Sequence, residues 1–178
     1  MINVMIISQY FTGIGSRSSP IWIIPLIDRI CLRSIKSNYI LRSGGADGAD
    51  TFFENAYKTG KTEIWVPWIG FNKSESIHLP SLEAYQIAAT IHPVWDRLRQ
   101  SVKALHARNC HQILGKDLKT KSKFVICWTD GGEPVGGTAT AIKLALNNDI
   151  PVLNLGKWDT VASMEEAVDD FLILNGDI

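Results

Sequence analysis

Glycine recurs in this sequence at three places where small polar or basic residues stand beside it: Thr12-Gly-Ile-Gly-Ser-Arg17, Arg42-Ser-Gly-Gly-Ala-Asp-Gly-Ala-Asp50 and Gly136-Gly-Thr138. Without a Cβ, backbone amides can approach a phosphate closely, and a helix starting there adds partial positive charge. Candidate ligand contacts are therefore Gly13, Gly15 and Ser16, then Ser43, Gly44, Gly45 and Ala46, then Gly136, Gly137 and Thr138. Arg17 and Arg42 stand beside the first two stretches, where each could add charge-assisted bonds to an anion. Any one such stretch is equally a way of packing a helix tightly on a sheet. Three that converge on one edge point to a phosphate or ribose site.

Carboxylates follow the second stretch. Asp47, Asp50 and Glu54 are candidates for the negative charge that an oxocarbenium-like transition state needs when a base is cleaved from a sugar. Helix capping is the commoner task of Asp47 and Asp50, and Glu54, one turn further on, is the catalytic candidate. Arg108 and Asn109 lie on a long helical stretch. The amide, on a buried face, needs a hydrogen-bond partner, and the guanidinium is either a solvated helix end or a phosphate ligand. Trp65, Trp68 and Phe71 offer rings for stacking on a base, for core packing or for a subunit contact. His106, Cys110 and His111 share a helical face but have no acidic third ligand nearby, so no metal is expected. The reading also calls for no cofactor.

Alternation of short apolar or β-branched runs with stretches of helical period gives a repeated βα order. A first strand is expected within Ile2 to Phe11, with a turn from Thr12 to Pro20. The helix from about Ile21 to Lys36 contains Pro25, which must delay its start or kink it. Tyr39 to Leu41 is a second strand, followed by a helix carrying Ala49, Phe52, Phe53 and Ala56 on one face and capped by Gly60. Glu63 to Val66 is a third strand, and Pro67 to Pro80 a long loop. Helices are expected over Ser81 to Ile91 and Val94 to Leu114. Lys123 to Thr129 has the near-continuous apolar character of a central parallel strand. A further helix through Ile142, a strand from Val152 to Leu155 and a last helix capped by Ser163 with Glu166 complete the order. The expected fold is α/β, a Rossmann-like three-layer α/β/α arrangement on a mainly parallel sheet of about five strands, in one domain. All strand-to-helix turns then lie along one edge.

Bulk composition narrows the functional classes. The chain has 178 residues, 18 Lys plus Arg against 18 Asp plus Glu, and 46% hydrophobic residues. That balance supplies no general attraction for nucleic acid or an anionic membrane. No apolar run approaches the roughly 20 residues of a membrane span, and the amino terminus lacks the order of a signal peptide, so a cytoplasmic location is expected. Cys31, Cys110 and Cys127 form no CxxC pair and read as reduced core thiols. Exposed aromatic residues in the long loop point to a homo-oligomer.

In ordered combination, Thr12-Gly-Ile-Gly-Ser-Arg17, Leu41-Arg-Ser-Gly-Gly-Ala-Asp-Gly-Ala-Asp50 with Phe53-Glu54, Glu63-Ile-Trp-Val-Pro-Trp68 with Phe71-Asn72, Ala107-Arg-Asn109 and Gly136-Gly-Thr138 resemble the SLOG superfamily. That group includes the DprA proteins and the LOG phosphoribohydrolases, and the chain looks most like its small phage and bacterial members. A phage member would work in the host cytoplasm. The resemblance spans about residues 4 to 155. It implies a Rossmann-like fold that binds a nucleotide or nucleotide-derived molecule, such as an ADP-ribose-like signal, as a sensor or sequestering protein, or as a hydrolase. LOG enzymes carry a glutamate shortly after the glycine-glycine-threonine stretch, whereas this chain reads Gly137-Thr-Ala-Thr-Ala-Ile142, which weighs against the LOG reaction. The neutral charge weighs against DprA-type handling of nucleic acid.

Overall fold

A computed structural model describes residues 8–178. Its centre is a five-stranded, fully parallel sheet of order β3-β2-β1-β4-β5. The strands are β1 (Gln9–Gly15), β2 (Tyr39–Ser43), β3 (Lys61–Ile64), β4 (Phe124–Trp128) and β5 (Val152–Asn154). The helices are α1 (Ile24–Lys36), α2 (Ala49–Ala56), α3 (Leu82–Ile91), α4 (Gln100–Leu114), α5 (Thr138–Asn147) and α6 (Val161–Gly176). Because β4, an inner strand between β1 and β5, is apolar on both faces, helices must cover both. α1, α2 and α6 pack over Phe11, Leu41, Phe124 and Ile126, while α3, α4 and α5 pack over Ile14, Val125 and Cys127. The result is the expected three-layer α/β/α arrangement. No helix among the described residues is long and apolar enough to cross a membrane.

The chain runs outward from β1 through β2 to β3, then returns to β4 on the other side of β1 and continues to β5. Connections leaving β1 and β4 therefore diverge, opening a crevice at their carboxyl ends, where ligands of such sheets bind.

Several boundaries differ from the sequence reading. Thr12 to Gly15 continues β1 rather than forming a turn, while residues 2–7 of the expected strand lie outside the described residues. The glycines there serve packing: a Cβ on Gly13 would run into the Phe53 ring, and one on Gly15 into Ala49 and the Trp128 carbonyl. Pro25 falls in the first turn of α1, which starts late after a 3-10 turn at Ile21–Ile23. The expected helix from Val94 is split into a 3-10 turn at Trp95–Arg97 and α4, with Leu98 and Arg99 extended between them. The apolar period had run unbroken through this gap. Tyr57 rather than Gly60 ends α2, and Gly60 is small because the Tyr57 ring lies against it. β3 begins two residues early, and Trp65, expected in it, instead forms an isolated bridge with His78. Thr160, not Ser163, caps α6, accepting the Ser163 amide on its hydroxyl. All three cysteines are free and buried.

Candidate ligand cleft

The crevice between the ends of β1 and β4 is a cleft of about 480 Å³, within the roughly 300–1,000 Å³ range of small-molecule sites. One wall is Ile14 to Ser18, the segment leaving β1, and the other is Asp130 with Val135 to Thr138, leading from β4 into α5. Ala46 in the turn before α2, Asp50 in its first turn, and Leu105, Arg108, Asn109 and Gln112 of α4 form the base, and Phe71 reaches in from the long loop.

Asp50 organises the base. Its side chain is buried, its Oδ1 accepts the Gly15 amide at 3.1 Å, and its Oδ2 lies 3.6 Å from Arg108 Nη1. Burial raises the Asp50 pKa above the ordinary carboxylate value, against the opposing pull of Arg108 and of the Gly15, Ala46 and Gly44 amides. Burial likewise lowers the Arg108 pKa, which Asp50 and Glu54 oppose. Arg108 Nη1 also donates to Asn109 Oδ1 at 2.9 Å, and Asn109 Nδ2 donates to the Gly137 carbonyl at 2.8 Å. Asn109 thus finds a backbone partner and ties the α5 entry to the arginine.

The two glycines of that entry differ. Gly136 has φ of 62°, a conformation that favours glycine. Gly137 has φ of −64°, and an added Cβ at either position would meet nothing within 4 Å. Neither backbone strain nor a protein neighbour requires glycine at Gly137, and the side facing outward is open. α5 starts there with no side-chain cap; the Ala139 amide donates to the Gly136 carbonyl at 3.3 Å, which leaves the Thr138 amide before it available.

Other expected contacts are placed differently. Ser43 lies at the end of β2, where its hydroxyl donates to the Gly13 carbonyl at 2.8 Å. Gly44 and Gly45 underlie the cleft without lining it. A Cβ on Gly44 would overlap the Arg108 and Gln112 head groups, and Gly45, at φ of 65°, donates its amide to Glu54 Oε1 at 2.8 Å. Glu54 therefore braces the Gly45 turn from behind. Burial and the neighbouring Asp50 push its pKa up to about 7. Asp47 is exposed and accepts from Asn72 Nδ2 at 3.3 Å.

Arg42 is a correction. β2 extends to Ser43, so Arg42 is a strand residue whose side chain leaves perpendicular to the sheet instead of toward its edge. Its Nε donates to Glu63 Oε2 at 2.9 Å and its Nη1 to the Thr120 carbonyl at 2.6 Å, under the Tyr10 ring. It lines a separate hollow with Tyr10, Glu63, Lys116, Asp117 and Thr120.

Of the aromatic candidates, Phe71 lines the cleft, Trp68 meets Phe71 edge-on, and Trp65 is buried against His111 with ring centroids 4.2 Å apart. His111 Nδ1 pairs with the Gly115 carbonyl and its Nε2 accepts the Ser81 amide. His106 pairs with the Thr140 hydroxyl, and burial pushes its pKa down to about 4. Sequence reading missed Gln112 and Asp130. Gln112 lies one helical turn after Arg108, so the i, i+4 relation was available.

Neither a family model nor a curated protein sequence matches this chain. Solved structures do. The Moco carrier protein of Chlamydomonas rheinhardtii aligns over 96% of this chain and 86% of its own at 17% identity, with a TM-score of 0.48. DNA processing protein A (DprA) from Streptococcus pneumoniae aligns over 95% of this chain and 56% of its own at 15% identity, with a TM-score of 0.52. The fold is similar to that of the DprA chain. In this frame the cleft occupies the crevice where the strand order reverses, and this chain spans a little over half the length of the DprA chain.

Proposed function

We propose that the cleft binds a phosphate-bearing, nucleotide-derived small molecule and that the protein acts as its sensor or sequestering agent in the cytoplasm. The observation that carries this reading is the open entry to α5. Gly137 sits at an ordinary helical φ, faces empty space and precedes uncapped helix amides, the arrangement suited to an anion approaching the backbone. Half-buried Ser16 and exposed Arg17 stand across the cleft, where Arg17 would add a charge-assisted bond to the same anion.

A hydrolase is the second reading. Asp50 favours it, because its buried carboxyl lines the cleft. Glu54, the candidate from sequence, holds the Gly45 amide instead and does not itself line the cleft. Exposed Trp68, Ile69 and Ile77 support the expectation of a homo-oligomer.

The test is thermal shift and chromatography in the same tubes with AMP, dAMP, CMP, NAD, ADP-ribose and its cyclic forms. A ligand bound by the native state raises the melting temperature by mass action. Recovery of the intact ligand means sensing or sequestration, and released base means hydrolysis. Gly137→Ala should leave the free protein as stable or about 0.5 kcal/mol more stable while weakening binding at least tenfold. Equal binding by the variant, or no shift with any compound, removes the reading.

A further inference from the structure

Four side-chain atoms among the described residues are buried without a hydrogen-bond partner: Trp65 Nε1, Arg108 Nε and both polar atoms of the Gln112 carboxamide. Three of the four belong to residues one turn apart on α4, whose head groups lie together over Gly44 at the base of the cleft. Gln112 is 0% exposed. Buried polar groups ordinarily find partners, and an amide left with neither is destabilising compared with an apolar side chain of similar size. Its backbone carbonyl, by contrast, is used, accepting from Thr12 Oγ1 at 2.6 Å.

The unmet valences describe what would satisfy them. Gln112 offers one acceptor and one amino group, and Arg108 Nε a further donor. A fully ionised phosphate has acceptors only and would leave Gln112 Oε1 unpaired. The group at the base must therefore be one that also donates. Position narrows the choice further. Gly136, Gly137 and Arg17 are exposed at the rim while Gln112 and Arg108 are buried, so a nucleotide whose phosphate sits at the rim directs its opposite end, the base, downward.

Resting on the reading of the cleft as a nucleotide site, we propose that Gln112 determines its specificity, pairing through its carboxamide with the adjacent amino donor and ring-nitrogen acceptor of an amino-bearing base. A carboxamide matches such an edge in a two-point contact, as Gln does with adenine N6 and N7.

The test compares AMP, purine riboside 5′-monophosphate, which lacks the amino group, and dAMP on wild type and on Gln112→Met by calorimetry, with melting temperatures of both free proteins. Wild type should prefer AMP over the deamino analogue at least tenfold and treat dAMP like AMP, and the variant should lose the preference. The free variant should melt roughly 2–4 °C higher, since it loses two unsatisfied polar atoms. Equal affinity of wild type for AMP and its deamino analogue overturns the proposal while leaving the cleft reading intact. Discrimination against dAMP alone assigns Gln112 to the sugar hydroxyls and also overturns it. A lower melting temperature for the variant means that the amide is structural, whatever the ligands do. Failure of every nucleotide to bind wild type removes the cleft reading itself.

Discussion

Two arginines are buried in this molecule, and they are buried in opposite ways. Arg42 is 1% exposed and its Nε and Nη1 are engaged by Glu63, Thr120 and Ser122. Arg108 is 6% exposed, has an unpartnered Nε, and meets its carboxylate at 3.6 Å. Proximity to a glycine stretch marked Arg42 as an anion ligand, while Arg108, on its long helical stretch, read as a solvated helix end or a phosphate ligand. The difference lies in what the protein itself supplies. A guanidinium whose donors are met internally fastens its surroundings, whereas one left with a free donor beside a cleft is available to something from outside.

The sharpest test of that contrast is Arg42→Met, which leaves Glu63 without its partner and the Thr120 carbonyl without a donor. Urea denaturation should show a loss of about 3 kcal/mol, with nucleotide affinity of the folded fraction unchanged. Loss of affinity without loss of stability would reverse the assignment. Arg108→Met should show the inverse pattern. Because its ion pair is loose and burial already raises the Asp50 pKa above the ordinary carboxylate value, stability should fall by less than in Arg42→Met. Binding of AMP should fall by about 1.5–3 kcal/mol, the worth of a hydrogen bond to a charged group, or roughly 10- to 100-fold in calorimetry.

The smallest effect concerns Glu54, behind the second glycine turn. Its folded pKa of about 7 lies above the ordinary carboxylate value of 4.5, so the native state binds the proton more tightly than the unfolded chain. Its contribution is fully present below about pH 4.5 and is lost as pH rises toward 7. Glu54→Gln keeps an acceptor for the Gly45 amide and removes the titration. Its stability relative to wild type should therefore grow across that window, by on the order of 2–3 kcal/mol. A flat difference between pH 4.5 and 7 would show that Glu54 is not so buried, and unchanged turnover would remove it as a catalyst.

The same contrast explains what could be read from sequence. The βα order, the parallel sheet and the shared edge were legible because hydrophobic period and strand composition are local signals, as in the apolar run of β4. The ends of elements were not. Gly13 and Gly15 look like turn residues, yet they are flat places on a strand where Phe53 and Ala49 press, a pairing set 34 to 40 residues away. Arg42 was misread for a related reason: extending β2 by two residues makes it a strand residue, with its side chain committed to a face. Gln112 was overlooked because an unpaired amide is a property of three-dimensional surroundings: its i, i+4 spacing from Arg108 puts the two on one helical face but says nothing of the missing partners.

The return of the long loop onto β3 has a colloidal consequence. An outermost strand invites another chain to add to it and continue the sheet into an aggregate. Here the hydrogen-bonding groups just past β3 are already taken: Val66 donates to the His78 carbonyl and Ser76 caps the Ile64 carbonyl. The exposed beginning of the strand carries Lys61, whose charge repels a second copy in register. The loop that brings Phe71 to the cleft thus also shields the sheet from polymerising through that end of its edge.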